Sequence, residues 1–136
     1  MTPAITDAGL DLGIVVADGE AALAFYRDAL GLELLGSNPL PGGGATMHRL
    51  RCGASTVKLV APDTVPADRA VGGGLLAATG LRYLTISVTN IDEAVAGLAA
   101  AGHRVLREPV DIVPGARIAI VADPDGNPVE FLQMQG

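Results

Sequence analysis

Two stretches of the chain share one pattern of apolar and polar positions. In the first, residues 10–16 form a run rich in leucine and β-branched residues, as expected of a strand. Asp18 then stands at a helix N-cap position, and residues 20–30 carry apolar side chains at helical spacing. Gly31 stops the helix and residues 32–35 begin another strand. In the second stretch, residues 84–88 are the strand, Asn90 the N-cap and residues 92–101 the helix. Gly102 is the stop, and residues 103–106 are the next strand. A shift of 72 residues lays one stretch on the other, carrying Val16 onto Val88 and Asp18 onto Asn90. The chain therefore reads as one unit used twice.

Each unit continues with two more strands, at residues 46–52 and 56–60 in the first and 117–122 and 128–133 in the second. Gly53 and Ala54 join the first pair tightly. The run Asp123, Pro124, Asp125, Gly126, Asn127 supplies turn residues for the second. The resulting order is strand, helix, strand, strand, strand, twice over. The first module covers about residues 10–62 and the second about 81–134, within a single domain of 1–136. A linker over about 63–80 holds Pro66, three glycines at 72–74 and a short apolar patch at Leu75 and Leu76. It and the Gly- and Pro-rich segment 36–44 read either as plain connections or as covers over a ligand.

Strand alternation divides the side chains between two faces. Leu12, Ile14 and Val16 share one face, and Asp11, Gly13 and Val15 the other. Leu84, Ile86 and Val88 oppose Tyr83, Thr85 and Ser87 in the same way. A two-residue turn at Gly53 and Ala54 would pair Arg49 with Lys58, Leu50 with Val57 and Cys52 with Ser55. Arg49, Arg51, Thr56 and Lys58 then lie on the polar face, away from Leu50, Val57 and Leu59. In the last strand Val129 and Phe131 pack, and Glu130 and Leu132 turn inward. The shift of 72 residues also relates Asp11 to Tyr83 and Lys58 to Glu130. A pseudo-twofold axis would gather these four at the centre of a curved sheet. They are the candidate catalytic residues, with Arg49, Thr85 and Leu132 as candidate substrate contacts. The bland alternative is four ordinary polar residues on a solvated sheet face.

Composition narrows the partners. The formal net charge of −6 and a pI near 4.6 argue against nucleic acid, which demands a basic face, and weakly against an anionic membrane. No apolar run approaches the ~20 residues that span a bilayer. The opening MTPAITDAG lacks a signal-peptide pattern, so a cytoplasmic protein is expected. Trp is absent, and Phe25, Phe131, Tyr26 and Tyr83 are the only aromatic residues, too few for a stacking platform. The lone Cys52 permits no intrachain disulfide and reads as a small packed residue rather than a nucleophile. His48 falls on the packed face at the edge of the core, and His103, just after the helix stop, is expected to be exposed.

The run from Leu12 to Asp18, leading to Ala24-Phe-Tyr-Arg-Asp-Ala-Leu-Gly-Leu-Glu33, resembles the opening module of the vicinal oxygen chelate superfamily, the glyoxalase, bleomycin-resistance and dioxygenase group. Asp123-Pro-Asp-Gly-Asn127, followed by Val129, Glu130 and Phe131, resembles its closing signature. The resemblance implies an α+β fold: two βαβββ modules forming a cupped eight-stranded mixed sheet, with helices on the convex face. It also implies a homodimer and, in many members, a divalent metal held by four ligands, usually His, Glu or Gln, with Glu last. Only Glu130 matches that set here. Asp11 and Tyr83 stand where His is usual, and Lys58 where Glu or Gln is usual. A protonated Lys cannot ligate, and neutral Tyr is a poor ligand. No metal cofactor is therefore expected; Asp11 and Glu130 would at most hold Mg²⁺ or Mn²⁺ weakly.

Two functions stay open for a small-molecule partner. One is an isomerase, epimerase or lyase acting on a small carbonyl compound by acid-base chemistry, with Lys58 in a buried ion pair, a carboxylate as base and Tyr83 handling a proton. The other is a metal-free binding protein of the antibiotic-sequestering kind, holding an aliphatic or anionic compound through Arg49 and Lys58.

Overall fold

The computed structural model describes residues 1–6 and 10–135, and the chain divides into two compact units, Met1–Ala67 and Asp68–Gly136. The first unit contains strands β1 (Asp11–Val15), β2 (Glu33–Pro39), β3 (Ala45–Cys52) and β4 (Ser55–Pro62), with helix α1 (Gly19–Leu23) after β1. The second contains β5 (Leu84–Ser87), α2 (Ile91–Ala100), β6 (Val105–Val113), β7 (Ala116–Ala122) and β8 (Pro128–Met134). Each is the expected βαβββ module. The eight strands are hydrogen-bonded as two sheets of four, ordered β1-β4-β3-β2 and β5-β8-β7-β6. In both, the outer pair that includes the first strand is parallel and the remaining pairs are antiparallel, so each sheet is mixed.

The hairpin between β3 and β4 has the expected register, with Cys52 opposite Ser55, Leu50 opposite Val57 and Arg49 opposite Lys58. Gly53 takes φ of 57°, the left-handed region that a tight two-residue turn needs at its first central position. In the first module Leu50, Val57 and Leu59 are buried on the face that also carries Val16. Asp18 caps α1 through Oδ1, which accepts from the amides of Glu20 and Ala21 at 3.0 and 3.2 Å. A Cβ on Gly19 would come within 3.2 Å of the Ala61 Cβ, so glycine lets the start of α1 approach β4 closely.

The helix expected over 20–30 does not continue as an α-helix. After Leu23 it widens into a π-helical segment, Ala24–Ala29, where the amide of Leu30 donates to the carbonyl of Phe25. This wider turn carries two consecutive rings inward. Phe25 and Tyr26 are both fully buried and meet edge to face, with centroids 4.9 Å apart and an interplanar angle of 83°.

The Gly- and Pro-rich segment 36–44 is also not all loop. Residues up to Pro39 belong to β2, and the turn proper is closed by the Gly43 amide on the Leu40 carbonyl. Edge position explains the tolerance, because the outward N–H of an edge strand needs no partner and Pro has none to offer. Strand β6, likewise at an edge, accommodates Pro109 and runs well past the expected 103–106.

In the second module Ile91, Val95 and Leu98 of α2 are buried, as are Ala119, Val121, Val129 and Phe131 of the sheet. Asn90 occupies the N-cap position, but its side chain makes no capping bond. The acceptor comes from β8: Gln133 Oε1 receives the Ile91 amide at 2.7 Å. Arg117 adds a second tie, bonding Asp92 in the first turn of α2 at 2.9 Å and Asp111 of β6 at 3.2 Å. The turn before β8 is organised by Asp123, which is 5% exposed and accepts from the amides of Asp125 and Asn127 and from Asn127 Nδ2. The linker has no regular element, yet its end is held. Arg82 donates to the carbonyls of Val71, Gly74 and Leu75 at 2.8–3.2 Å. His103 is half-buried rather than exposed, and its amide closes the end of α2 on the Leu98 carbonyl.

The two candidate caps of α2 are separable. Gln133→Met, which keeps the stem and removes the acceptor, is expected to lower stability by about 1 kcal/mol. Asn90→Ala should cost clearly less, and comparison of the two melting temperatures checks the assignment.

Candidate functional site

Each sheet has a more polar face, and the candidate residues divide between the two modules. In the first, the parallel pairing of β1 with β4 sets Asp11 opposite Thr56 and Gly13 opposite Lys58. Lys58 Nζ lies 3.4 Å from Asp11 Oδ2. The pair is not the buried ion pair expected, since its side chains are 35% and 53% exposed. Water screens such a pair, and its contribution to stability is correspondingly small. Arg51 reaches Glu33 of β2 at 3.3 Å in a second exposed pair. Arg49 is half-buried and, among the described residues, has no hydrogen-bond or ion-pair partner.

The second module repeats the geometry with different chemistry. β5 pairs with β8 in parallel and sets Thr85 opposite Glu130, the counterpart of Gly13 opposite Lys58. Thr85 Oγ1 donates to Glu130 Oε1 at 2.8 Å. The carboxylate is thereby oriented, and its second oxygen has no partner among the described residues. Leu132 lies two residues on and is half-buried. Tyr83 sits just before β5, 54% exposed, with no hydrogen-bond partner among the described residues.

This face is more apolar than strand alternation alone predicts. Ile120 is the register partner of Glu130 and Ile118 that of Leu132, and both isoleucines are nearly inaccessible. Glu130 therefore has apolar neighbours. The signal was present in the sequence: residues 118–122 are apolar without a break, the mark of a strand covered on both faces.

These donors do not fit a divalent metal of the kind the resemblance implies. In the first module the Asp11 carboxylate is already held by an ammonium, which has no lone pair to offer and repels a dication, and Glu33 is paired with Arg51. In the second the carboxylate has a hydroxyl donor beside it and no imidazole. Among the described residues no three His, Cys, Asp or Glu side chains form a metal-holding group. His48 is placed at the core edge, as expected, with Nδ1 2.7 Å from Ser37 Oγ.

Residues 10–131 match the family model described as the Glyoxalase/Bleomycin resistance protein/Dioxygenase superfamily. The chain belongs to this superfamily. Within it, the chain is 33% identical over 123 residues to human mitochondrial methylmalonyl-CoA epimerase, covering 89% of this chain and 63% of that protein. It is 30% identical to a probable lactoylglutathione lyase of Synechocystis, over 88% of this chain and 90% of that one. A glyoxalase family protein from Enterococcus faecalis superposes with a TM-score of 0.72 at 29% identity, covering 90% of this chain and 94% of that one. Superfamily membership thus accounts for the paired βαβββ modules. Among the described residues no helix is long and apolar enough to cross a membrane.

Cys52, partly buried at the end of β3, has its thiol pushed up from the ordinary value by desolvation. A raised thiol pKa means less thiolate at any given pH, so the group is a poor nucleophile. Alkylation by iodoacetamide at pH 8 is expected to run several-fold slower than in an unstructured cysteine peptide. Faster alkylation would reopen Cys52 as a reactive group.

Proposed function

We propose that the chain is a proton-transfer enzyme: an isomerase, epimerase or lyase acting on a small carbonyl compound, working without a tightly held metal. Glu130 is the base, and Lys58 is the cation assigned to the developing enolate oxygen. Tyr83 is the second proton-handling group, with Asp11 positioning Lys58 through their ion pair. Thr85 and Leu132 belong to substrate binding, as does Arg49. The observation that carries the reading is the Glu130 carboxylate, oriented by Thr85 at 2.8 Å with one oxygen free and apolar isoleucines beside it. An oriented carboxylate beside apolar side chains is suited to taking a proton next to a carbonyl, because it is less completely hydrated than one in open water. The superfamily relatives lend support, since one is named as an epimerase and another as a probable lyase.

In this reading the base removes the proton from the carbon next to the carbonyl, a cation stabilises the resulting enolate oxygen, and the proton returns to the same or the other face. The partner is a small molecule and the assembly a homodimer. The second reading, a binding protein, is favoured by one observation: the partnerless Arg49 directly opposite Lys58 can grip an anion without any chemistry.

The test is deuterium exchange into methylmalonyl-CoA, and separately into lactoylglutathione, in heavy water. Exchange into one of them is expected, falling by about 100-fold or more in Glu130→Gln and in Lys58→Met, with melting temperatures nearly unchanged. Exchange retained in both variants would sink the acid-base reading. Tight binding with no exchange would hand the function to the sequestering alternative.

A further inference from the structure

The first module carries a cross-strand row in which Lys58 has a carboxylate partner and Arg49, directly opposite it, has none among the described residues. The registers of β1 with β4, β4 with β3 and β3 with β2 align Gly13, Lys58, Arg49 and Gly36 side by side on the open face. Two cations sit in direct register at its centre. Directly opposed residues of this kind bring their Cβ atoms to about 4.5–5.5 Å, and like charges there are destabilising. Asp11 neutralises only Lys58, and Glu33 is engaged with Arg51. Arg49 is left half-buried, next to another cation, without a carboxylate.

The flanks of the row are cleared by glycine. A Cβ on Gly36 would come within 3.0 Å of Arg49 Nη2, so the guanidinium lies over that glycine. A Cβ on Gly13 would meet nothing within 4 Å, so the space beside Lys58 is open. Gly13 has no positive φ, and its backbone therefore does not require glycine. What the residue provides there is room.

We infer that the Gly13-Lys58-Arg49-Gly36 row is an oxyanion subsite, taking the carboxylate or phosphoryl end of the protein's small-molecule ligand. The guanidinium fork, lying over Gly36, presents paired donors that match two oxygens of such a group, and Lys58, held at Asp11, adds positive charge from the neighbouring strand. A bound anion supplies the partner that Arg49 lacks among the described residues and offsets the like charge of the register-opposed pair. The inference rests on the small-molecule reading above for the identity of what carries the anion, and it does not depend on proton transfer.

Isothermal titration calorimetry of the full chain at low salt, with malonate and separately with inorganic phosphate, tests it. Saturable binding of one equivalent is expected, weakened by added salt. Arg49→Met and Lys58→Met should each lose at least about tenfold in affinity, the scale of one charge-assisted hydrogen bond. Asp11→Asn should bind more tightly, because it removes the competing carboxylate. Gly13→Val fills the open space without changing charge in a strand position that accepts valine, so it should fold normally and lose the anion. Tighter malonate assigns the carboxylate, and tighter phosphate the phosphoryl group. No saturable binding of either anion, or full affinity in Arg49→Met or in Gly13→Val, overturns the subsite. Anion binding in a protein that exchanges no deuterium would remove the acid-base reading and keep the subsite. Exchange without anion binding would do the reverse.

Discussion

The constraint on which the site depends is the parallel pairing of the first strand of each module with its last. Because β1 lies against β4 and β5 against β8, residues distant in sequence become register partners: Gly13 with Lys58, and Thr85 with Glu130. The period of two along each strand then decides which side chains face outward. A slip of one residue would send Lys58 and Glu130 into the core and bring Leu59 and Phe131 out. The buried sides hold the register. Leu50, Val57 and Leu59 in one module and Val129 and Phe131 in the other are almost inaccessible, and truncation of such residues costs about 2–5 kcal/mol each.

On that common frame the two modules have diverged in charge. At one repeat position the first module has Lys58 and the second Glu130; at another, Asp11 corresponds to Tyr83. The first open face is therefore rich in cations, with Arg49, Arg51 and Lys58, and the second carries a single oriented carboxylate among apolar neighbours. The resemblance implies a metal ligand where this chain has Lys58, and the proposed chemistry takes that departure as its starting point. A fixed ammonium can perform part of what a metal ion does, namely stabilise negative charge on oxygen, and it needs no loading. This is the physical link between the sequence departure and the proposed chemistry.

Much of this was legible in the sequence. The repeat, both helix stops, the hairpin register at Gly53 and the face assignments follow from patterns that local chemistry enforces. The failures have identifiable causes. The π-helical turn at Ala24–Ala29 arises because Phe25 and Tyr26 are both drawn into the core, a tertiary demand with no local signature. The cap of α2 comes from Gln133, 42 residues away from Ile91, so no short-range motif could announce it. Segment 36–44 looked like a loop because Gly and Pro usually break strands, whereas an edge strand tolerates them. In the candidate site, residue type and face could be read, but not that Asp11 and Lys58 pair at the surface or that Arg49 is left without a partner. Those facts depend on side-chain rotamers.

In the proposed chemistry Lys58 supplies, as a fixed positive charge, what a ligated metal ion would supply. Metal content of the untagged protein, measured by mass spectrometry after dialysis against Mg²⁺, Mn²⁺, Zn²⁺ and Ni²⁺ in turn, tests it most directly. Well under one equivalent of any of them per chain is expected, with no change on Glu130→Ala. One equivalent of a divalent metal, lost when Glu130 or Asp11 is replaced, would contradict it.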